Sequence, residues 1–241
     1  MPILGIEVKM NIDFFQKLST PPNNFEPGQK LVSFVNPYSY CVIRNLDLTQ
    51  INEWYVDGVV AVKVFRLLGI DVRRASFDLT SLAPIVFKQA ERSDLSVAIL
   101  GAKPQEIINF EKFLIGKYPK LNLVYTRHGY FNNDAERVEA FESLCEVKPD
   151  IVVVGMGTPI QESTLIELRE MGWSGTGFTC GGFIHQTAST GGDYYPSWIN
   201  KMNLRWLYRM WDEPKLIKRY FKYYPLFLFY VLKDWMCFRK K

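Results

Sequence analysis

Residues 150–165 read Asp-Ile-Val-Val-Val-Gly-Met-Gly-Thr-Pro-Ile-Gln-Glu-Ser-Thr-Leu. Unbroken β-branched residues at 151–154 suit a strand buried on both faces, as the strands of a parallel sheet are. Gly155-Met156-Gly157 breaks the run, and Pro159, with its fixed φ and missing N–H, opens a helix. The same strand, glycine turn and helix recur on either side. "LSVAILGA" (95–102) leads to "PQEIINFEKFLIGKYP" (104–119), "LNLVYTRHGYF" (121–131) leads to "NDAERVEAFESLCEVKP" (133–149), and "SGTGFTCGG" (174–182) reads as a fourth strand. Alternation of this kind predicts βαβ units and a parallel sheet. Residues 1–93 are less regular: "KLVSFVNPYSYCVI" (30–43) is strand-like, Asp57-Gly58 is a turn, and "VAVKVFRLLG" (60–69) is helix-like. The expected architecture is α/β, a Rossmann-like parallel sheet with flanking helices over residues 1–195. A basic, helical C-terminal appendage is expected over 196–241.

With 241 residues, 48% of them hydrophobic, the chain can bury one sizeable core. Glu7 and Asp13 interrupt the apolar stretch that a secretion leader would need at the N-terminus. Cys41, Cys145, Cys180 and Cys237 are scattered without a Cys-x-x-Cys pair, and His128 and His185 are the two histidines. Disulfides, a zinc site and any other metal centre are therefore not expected, and a reducing cytosol is the default compartment. Charge is unevenly spread. Residues 201–241 hold eleven Lys/Arg against three Asp/Glu, so residues 1–200 carry −4 of the overall +4. An acidic body with a basic, aromatic tail points to an anionic surface as partner.

Ligands of doubly wound sheets sit beyond the carboxyl ends of strands, where glycine turns feed helix N-termini and free N–H groups suit a pyrophosphate. Turns of this kind occur at Gly101-Ala102-Lys103-Pro104, at Gly155-Met156-Gly157-Thr158-Pro159 and at Gly181-Gly182. None matches the dinucleotide fingerprint or a Walker A sequence, and a purely structural role for each glycine stays open. Asp57, between an apolar strand and Gly58, is either a helix N-cap or a catalytic acid/base. The chain has no Asp-x-Asp pair, so a bound diphosphate would be neutralised by cationic side chains. In the tail Arg205, Arg209, Lys215, Lys218, Arg219 and Lys222 alternate with Trp206, Tyr208, Trp211, Tyr220 and Phe221. Arginine's planar fork matches phosphate oxygens. Pro225 is expected to interrupt the tail. The "LFLFYVL" that follows (226–232) is too short to cross a bilayer but fits an interfacial anchor.

These pieces, in this order, resemble the WecG/TagA/CpsF glycosyltransferases. The resemblance runs from about residue 30 to 224 and rests on Asp57-Gly58, Gly129-Tyr130-Phe131, "VGMGTPIQE" (154–162), a glycine turn followed by Phe183, "YYPSW" (194–198), "LRWLYR" (204–209) and "EPKLIKRY" (213–220). "CGGFIHQTA" (180–188) and "YYPSW" look closest to the capsule and exopolysaccharide branch. The resemblance implies inverting transfer from a UDP-sugar to a polyprenyl-diphosphate-linked glycan acceptor, without metal or cofactor. It also implies a peripheral enzyme on the inner face of the plasma membrane, with the appendage closing over the site. Asp57 matches the catalytic base. Asn36, Gly155, Gly157, Pro159, Gln161, Glu162, Gly181 and Gly182 fall on the donor side, and Arg205, Arg209 and Arg219 among the arginines that meet the diphosphate. The chain departs from the family pattern in three places. Ser33-Phe34-Val35 precedes Asn36 where Thr-x-Asn is usual, Ile184-His185 follows Phe183 where Asp is usual, and Tyr194-Tyr195-Pro196 replaces Arg-Ala-Pro. The residues alone leave one rival class open, a non-catalytic nucleotide-binding regulatory or interaction protein on the same fold. Nucleic acid is not an expected partner, because the positive charge is confined to a tail that also carries an apolar segment.

Overall fold

The computed structural model describes residues 12–191, 199, 205–212 and 214–240. Six strands form one sheet: β1 (Leu31–Val35), β2 (Glu53–Val56), β3 (Ser96–Gly101), β4 (Asn122–Arg127), β5 (Ile151–Gly155) and β6 (Thr176–Thr179). Every pairing is parallel, in the order β2-β1-β6-β5-β3-β4. This is the Rossmann-like α/β sheet that the alternation predicts. The apolar runs are explained by what covers them. Val35, Ala98, Leu100, Val152 and Val154 point into one core layer, and Val32, Phe34, Val97, Ile99, Ile151 and Val153 into the other.

Helices α1 (Pro37–Ile43), α2 (Val59–Leu67), α5 (Asp134–Val147) and α6 (Ile160–Glu170) contribute to the first layer. Helices α3 (Leu82–Arg92), α4 (Pro104–Lys117) and α7 (Phe183–Thr190) contribute to the second. Adjacent strands β5 and β3 thus send their helices to opposite faces, and so do β6 and its neighbours β5 and β1. Such reversals open crevices at the carboxyl edge.

The first third of the chain is more structured than its pattern suggests. The strand-like stretch at 30–43 is a strand only to Val35. Asn36 then caps α1, accepting from the N–H groups of Tyr38 and Ser39 at 3.0 Å each while Ser39 Oγ accepts from the Asn36 N–H. The apolar stretch before Arg92 is α3, one more cover for the sheet.

The tail departs furthest from expectation. It contains α8 (Arg205–Asp212) and α9 (Lys215–Phe238), and Pro225 lies inside α9 instead of ending it. The carbonyl its missing N–H leaves open belongs to Phe221, an exposed residue that water can serve. Phe227 and Val231 are fully buried in the first core layer, where Phe227 meets the rings of Tyr40 and Phe65. Trp235 and Phe238 pack on Phe15. The far half of the expected appendage, with its "LFLFYVL" segment, is therefore part of the body.

A buried ion pair fixes its register. Asp234, 1% exposed, receives Arg44 Nε and Nη2 at 2.9 and 2.6 Å and the Tyr40 hydroxyl at 2.9 Å. Burial first, then the neighbouring Asp234 charge, pushes the Tyr40 phenol above its ordinary range, so it remains a donor. Removing one partner of such a pair strands a charge in the interior. Asp234→Ala is expected to cost about 3–5 kcal/mol in urea unfolding. Deletion of 223–241 is expected to abolish cooperative unfolding altogether, as circular dichroism would register.

Candidate active site

The carboxyl ends of β1, β6, β5 and β3 meet through turns that nearly touch. Gly101 takes φ +144, and a Cβ there would lie 2.3 Å from the Gly155 carbonyl oxygen. That oxygen accepts the Ala102 N–H at 3.1 Å. Only glycine lets the β3 and β5 turns approach so closely. Gly157 has open space around it but takes φ +76, so its conformation is the constraint. The Thr158–Pro159 bond is cis, and Pro159 sits at the start of α6.

Beneath this turn lies a buried polar knot. Glu162 Oε1 receives Ser33 Oγ at 2.9 Å, Gln161 Nε2 at 3.0 Å and Thr158 Oγ1 at 3.1 Å. Ser33 Oγ also meets Thr179 Oγ1 at 2.9 Å, and Gln161 Oε1 accepts the Gly181 N–H at 3.0 Å. Side chains of β1, β6, α6 and the β5 turn are joined with the Gly181 backbone in one network. Glu162 Oε2 is buried without a hydrogen-bond partner among the described residues. Burial raises the carboxyl of Glu162 above its ordinary value, against the hydrogen bonds that lower it. Gln161 and Glu162, expected beside the donor, are both buried, 3% and 0% exposed, and shape the turn from beneath.

Asp57 follows β2, and its N–H bonds to the Val35 carbonyl at 2.8 Å, tying the ends of β2 and β1 together. The residue that caps α2 is Gly58, so the N-cap reading of Asp57 does not hold. Its carboxylate, about one-third exposed, lies 3.3 Å from Arg74 Nη2. Arg74 also reaches Ser76 Oγ at 3.1 Å and Asp78 at 3.8 Å. Asn36, at the end of β1, spends its carbonyl oxygen on the start of α1.

On the other flank His185 Nδ1 meets Glu106 Oε1 at 2.9 Å, linking the first turns of α7 and α4. Burial raises the Glu106 carboxyl, but the Lys103 N–H bond and His185 outweigh it and hold the group below its ordinary value. Gly182 opens α7 beside Gln186. Arg219 stands on α9 over the ring of Tyr38, near the start of α1. Arg205 and Arg209 lie on α8 with side chains outside the described residues, as does the whole of "YYPSW" (194–198).

Ser33, Thr158, Thr179 and Arg74 are absent from the residues expected at the site. For Ser33 the signal was present: it is the one hydroxyl inside a strand otherwise buried and apolar. Among the described residues no three His, Cys, Asp or Glu side chains gather as a metal cluster would.

A carboxyl edge of this make, with glycine turns feeding helix N-termini, defines an α/β protein of the kind that holds phosphorylated ligands. The model of the glycosyl transferase WecG/TagA/CpsF family matches residues 2–241. The chain is 36% identical over 200 residues to the UDP-Gal:alpha-D-GlcNAc-diphosphoundecaprenol beta-1,4-galactosyltransferase of Shigella boydii, across 82% of this chain and 84% of the relative. It is 26% identical over 215 residues to the N-acetylglucosaminyldiphosphoundecaprenol N-acetyl-beta-D-mannosaminyltransferase of Bacillus subtilis (strain 168), across 85% and 79% of the two chains. The chain belongs to the WecG/TagA/CpsF family and is a glycosyltransferase, which removes the non-catalytic rival.

The knot has a pH signature. A carboxyl raised in the native state binds its proton more tightly there than in the unfolded chain, so stability falls as pH climbs above the ordinary Glu value of about 4.3. Gln does not titrate. Glu162→Gln is therefore expected to gain stability relative to the native chain as pH rises from 4 to 8 in thermal unfolding. Parallel curves would contradict a carboxyl raised by burial at Glu162.

Proposed function

We propose that the enzyme moves a sugar from a UDP-sugar donor onto a glycan carried by a polyprenyl diphosphate, in one inverting displacement and without a metal. The observation that carries the reading is Asp57. It is a partly exposed carboxylate one residue beyond β2, tied to the end of β1 and steadied by Arg74, on the same sheet edge as the glycine turns. Asp57 takes the proton from the acceptor hydroxyl as that oxygen bonds to C1 of the sugar. The bond from C1 to UDP breaks, and UDP leaves with the electron pair. Backbone N–H groups of the turn at 155–158 and of Gly182, with the arginines of α8, meet the charge on the departing diphosphate, and Arg219 of α9 meets the diphosphate of the acceptor. The substrates named for the relatives support this pairing. The Shigella enzyme's name gives UDP-Gal and a GlcNAc-diphosphoundecaprenol, and the Bacillus enzyme's name gives an N-acetylglucosaminyldiphosphoundecaprenol. The forms of residues 180–188 and 194–198 favour capsule or exopolysaccharide assembly.

Asp57→Asn keeps the shape and removes the basicity. It is expected to lower turnover by about 10²–10⁴ while calorimetry finds UDP bound as before. Near-native transfer by this variant overturns the assignment. In the same assay the native enzyme is expected to stay active in EDTA, and activity lost there but restored by Mg²⁺ would put a metal in the site. A thermal-shift series of UDP-sugars identifies the donor.

The lipid-linked acceptor calls for an enzyme at the cytoplasmic membrane surface. Among the described residues no helix is long and apolar enough to cross a membrane. The outward face of α9 offers another means of contact: Phe221, Leu228, Phe229, Leu232 and Met236 are exposed beside Lys218, Lys222, Lys233 and Arg239. Apolar residues flanked by basic ones suit an anionic interface, each base contributing about 1 kcal/mol near such a leaflet. The double variant Phe229→Glu with Leu232→Glu is expected to stop sedimenting with anionic phospholipid vesicles while keeping transfer to a short-chain acceptor. Unchanged sedimentation sinks the idea.

A further inference from the structure

We infer that Tyr38 is a positioning residue that presents Arg219 to the acceptor's diphosphate; this rests on the reading above, in which α9 arginines meet that group. The Arg219 guanidinium carbon lies 4.5 Å from the centre of the Tyr38 ring, over its face. The ring is held in turn. Tyr223, one turn after Arg219 on α9, meets it edge-on at 4.9 Å and 86°, and the Cys41 thiol lies 3.6 Å from the Tyr223 carbonyl. Lys222 stands over the Tyr223 ring at 5.2 Å, so the two tyrosines carry two cations.

Both ends of this arrangement are fixed. Tyr38 occupies the first turn of α1, where Pro37, the Asn36 cap and Ser39 leave the backbone little freedom. Arg219 is held along α9 by Phe227, Val231 and Asp234, which lock that helix on α1 and the core. The location follows from the chain. Tyr38 lies three residues after Val35, whose carbonyl accepts the Asp57 N–H.

The mode of holding matters. A carboxylate partner would neutralise Arg219 and occupy its N–H groups. Stacking on a ring restrains the guanidinium plane and leaves all of its donors directed outward in that plane. No ion pair engages Arg219 among the described residues, and the side chain is exposed. A charged, oriented and uncommitted fork is what a bidentate contact to phosphate oxygens needs. Tyr38 supplies the orientation.

The test measures KM for donor and acceptor separately, in the full-length enzyme. The acceptors are a short-chain GlcNAc-diphosphoryl lipid and an alkyl GlcNAc without the diphosphate. Tyr38→Phe keeps the ring and is expected to behave as the native enzyme. Tyr38→Leu keeps apolar bulk, loses the ring face, and is expected to raise KM for the diphosphoryl acceptor about three- to tenfold. Donor KM, and KM for the alkyl acceptor, should not move. Arg219→Ala should raise the same KM at least as much, and Tyr38→Leu added to it should cost nothing further. If Arg219→Ala matters while Tyr38→Leu does not, or the two losses multiply, the positioning role is overturned and the Arg219 reading stands. If Arg219→Ala leaves the diphosphoryl KM unchanged, the reading of Arg219 falls and this inference with it. A thermal melt of each variant separates these outcomes from a loss of fold, and Tyr38→Phe distinguishes the ring's face from its hydroxyl.

Discussion

Three donors converge on a single buried oxygen of Glu162, and the carboxyl edge of the sheet is organised around that convergence. A parallel sheet covered on both faces has no room for polar groups along its strands, so hydroxyls at Ser33 and Thr179 need partners brought to them. Glu162 reaches Ser33 from the first turn of α6, Ser33 in turn meets Thr179, and Gln161, next to Glu162, holds the Gly181 N–H. The glycine turn after β5 is thereby tied to β1 and to the turn after β6.

The second organising contact lies on the opposite side of α1. α9 could have been a loose basic arm, and its net charge suggests one. Instead it runs along α1, with Arg219 and Tyr223 against Tyr38 at one end and Asp234 against Arg44 at the other. Its inner face belongs to the same core layer as Trp54 and Phe65. Its outer face keeps the bases and the exposed aromatics. One helix therefore connects the interior, the carboxyl edge of the sheet and the outer surface.

Elements built from β-branched runs and glycine turns were legible from the sequence: β3, β4, β5 and β6, and the helices after the first three of them, rest on local patterns that tertiary context does not override. β1 was read too long, because Val35, Tyr40 and Ile43 all look like strand residues; the signal to stop was Asn36-Pro37, a cap followed by a proline. α9 was misread for a related reason. Pro225 marks a helix end only when the helix needs that hydrogen bond, and here the open carbonyl belongs to an exposed residue. At the site, Asp57 and the glycines stood out by type and spacing. Arg74 did not, since nothing local brings it to Asp57; the bridge between Val56 and Arg74 that does so is a tertiary pairing. Glu162 was found for its motif, but its burial depends on three strands whose order is invisible in one dimension.

The position of α9 in the chain also constrains how the protein is made. Phe227, Val231 and Asp234 emerge from synthesis well after β6 has completed the sheet. Until they arrive, Tyr40 and Phe65 lack their cover and Arg44 lacks its counter-charge. The half-made chain therefore presents an open aromatic face on one side of an otherwise finished sheet, the kind of surface that chaperones hold and that aggregates when they do not. Closure of that layer and arrival of Arg219 over the Tyr38 ring are one event, so the nascent enzyme gains its last core residues and that stacked guanidinium together.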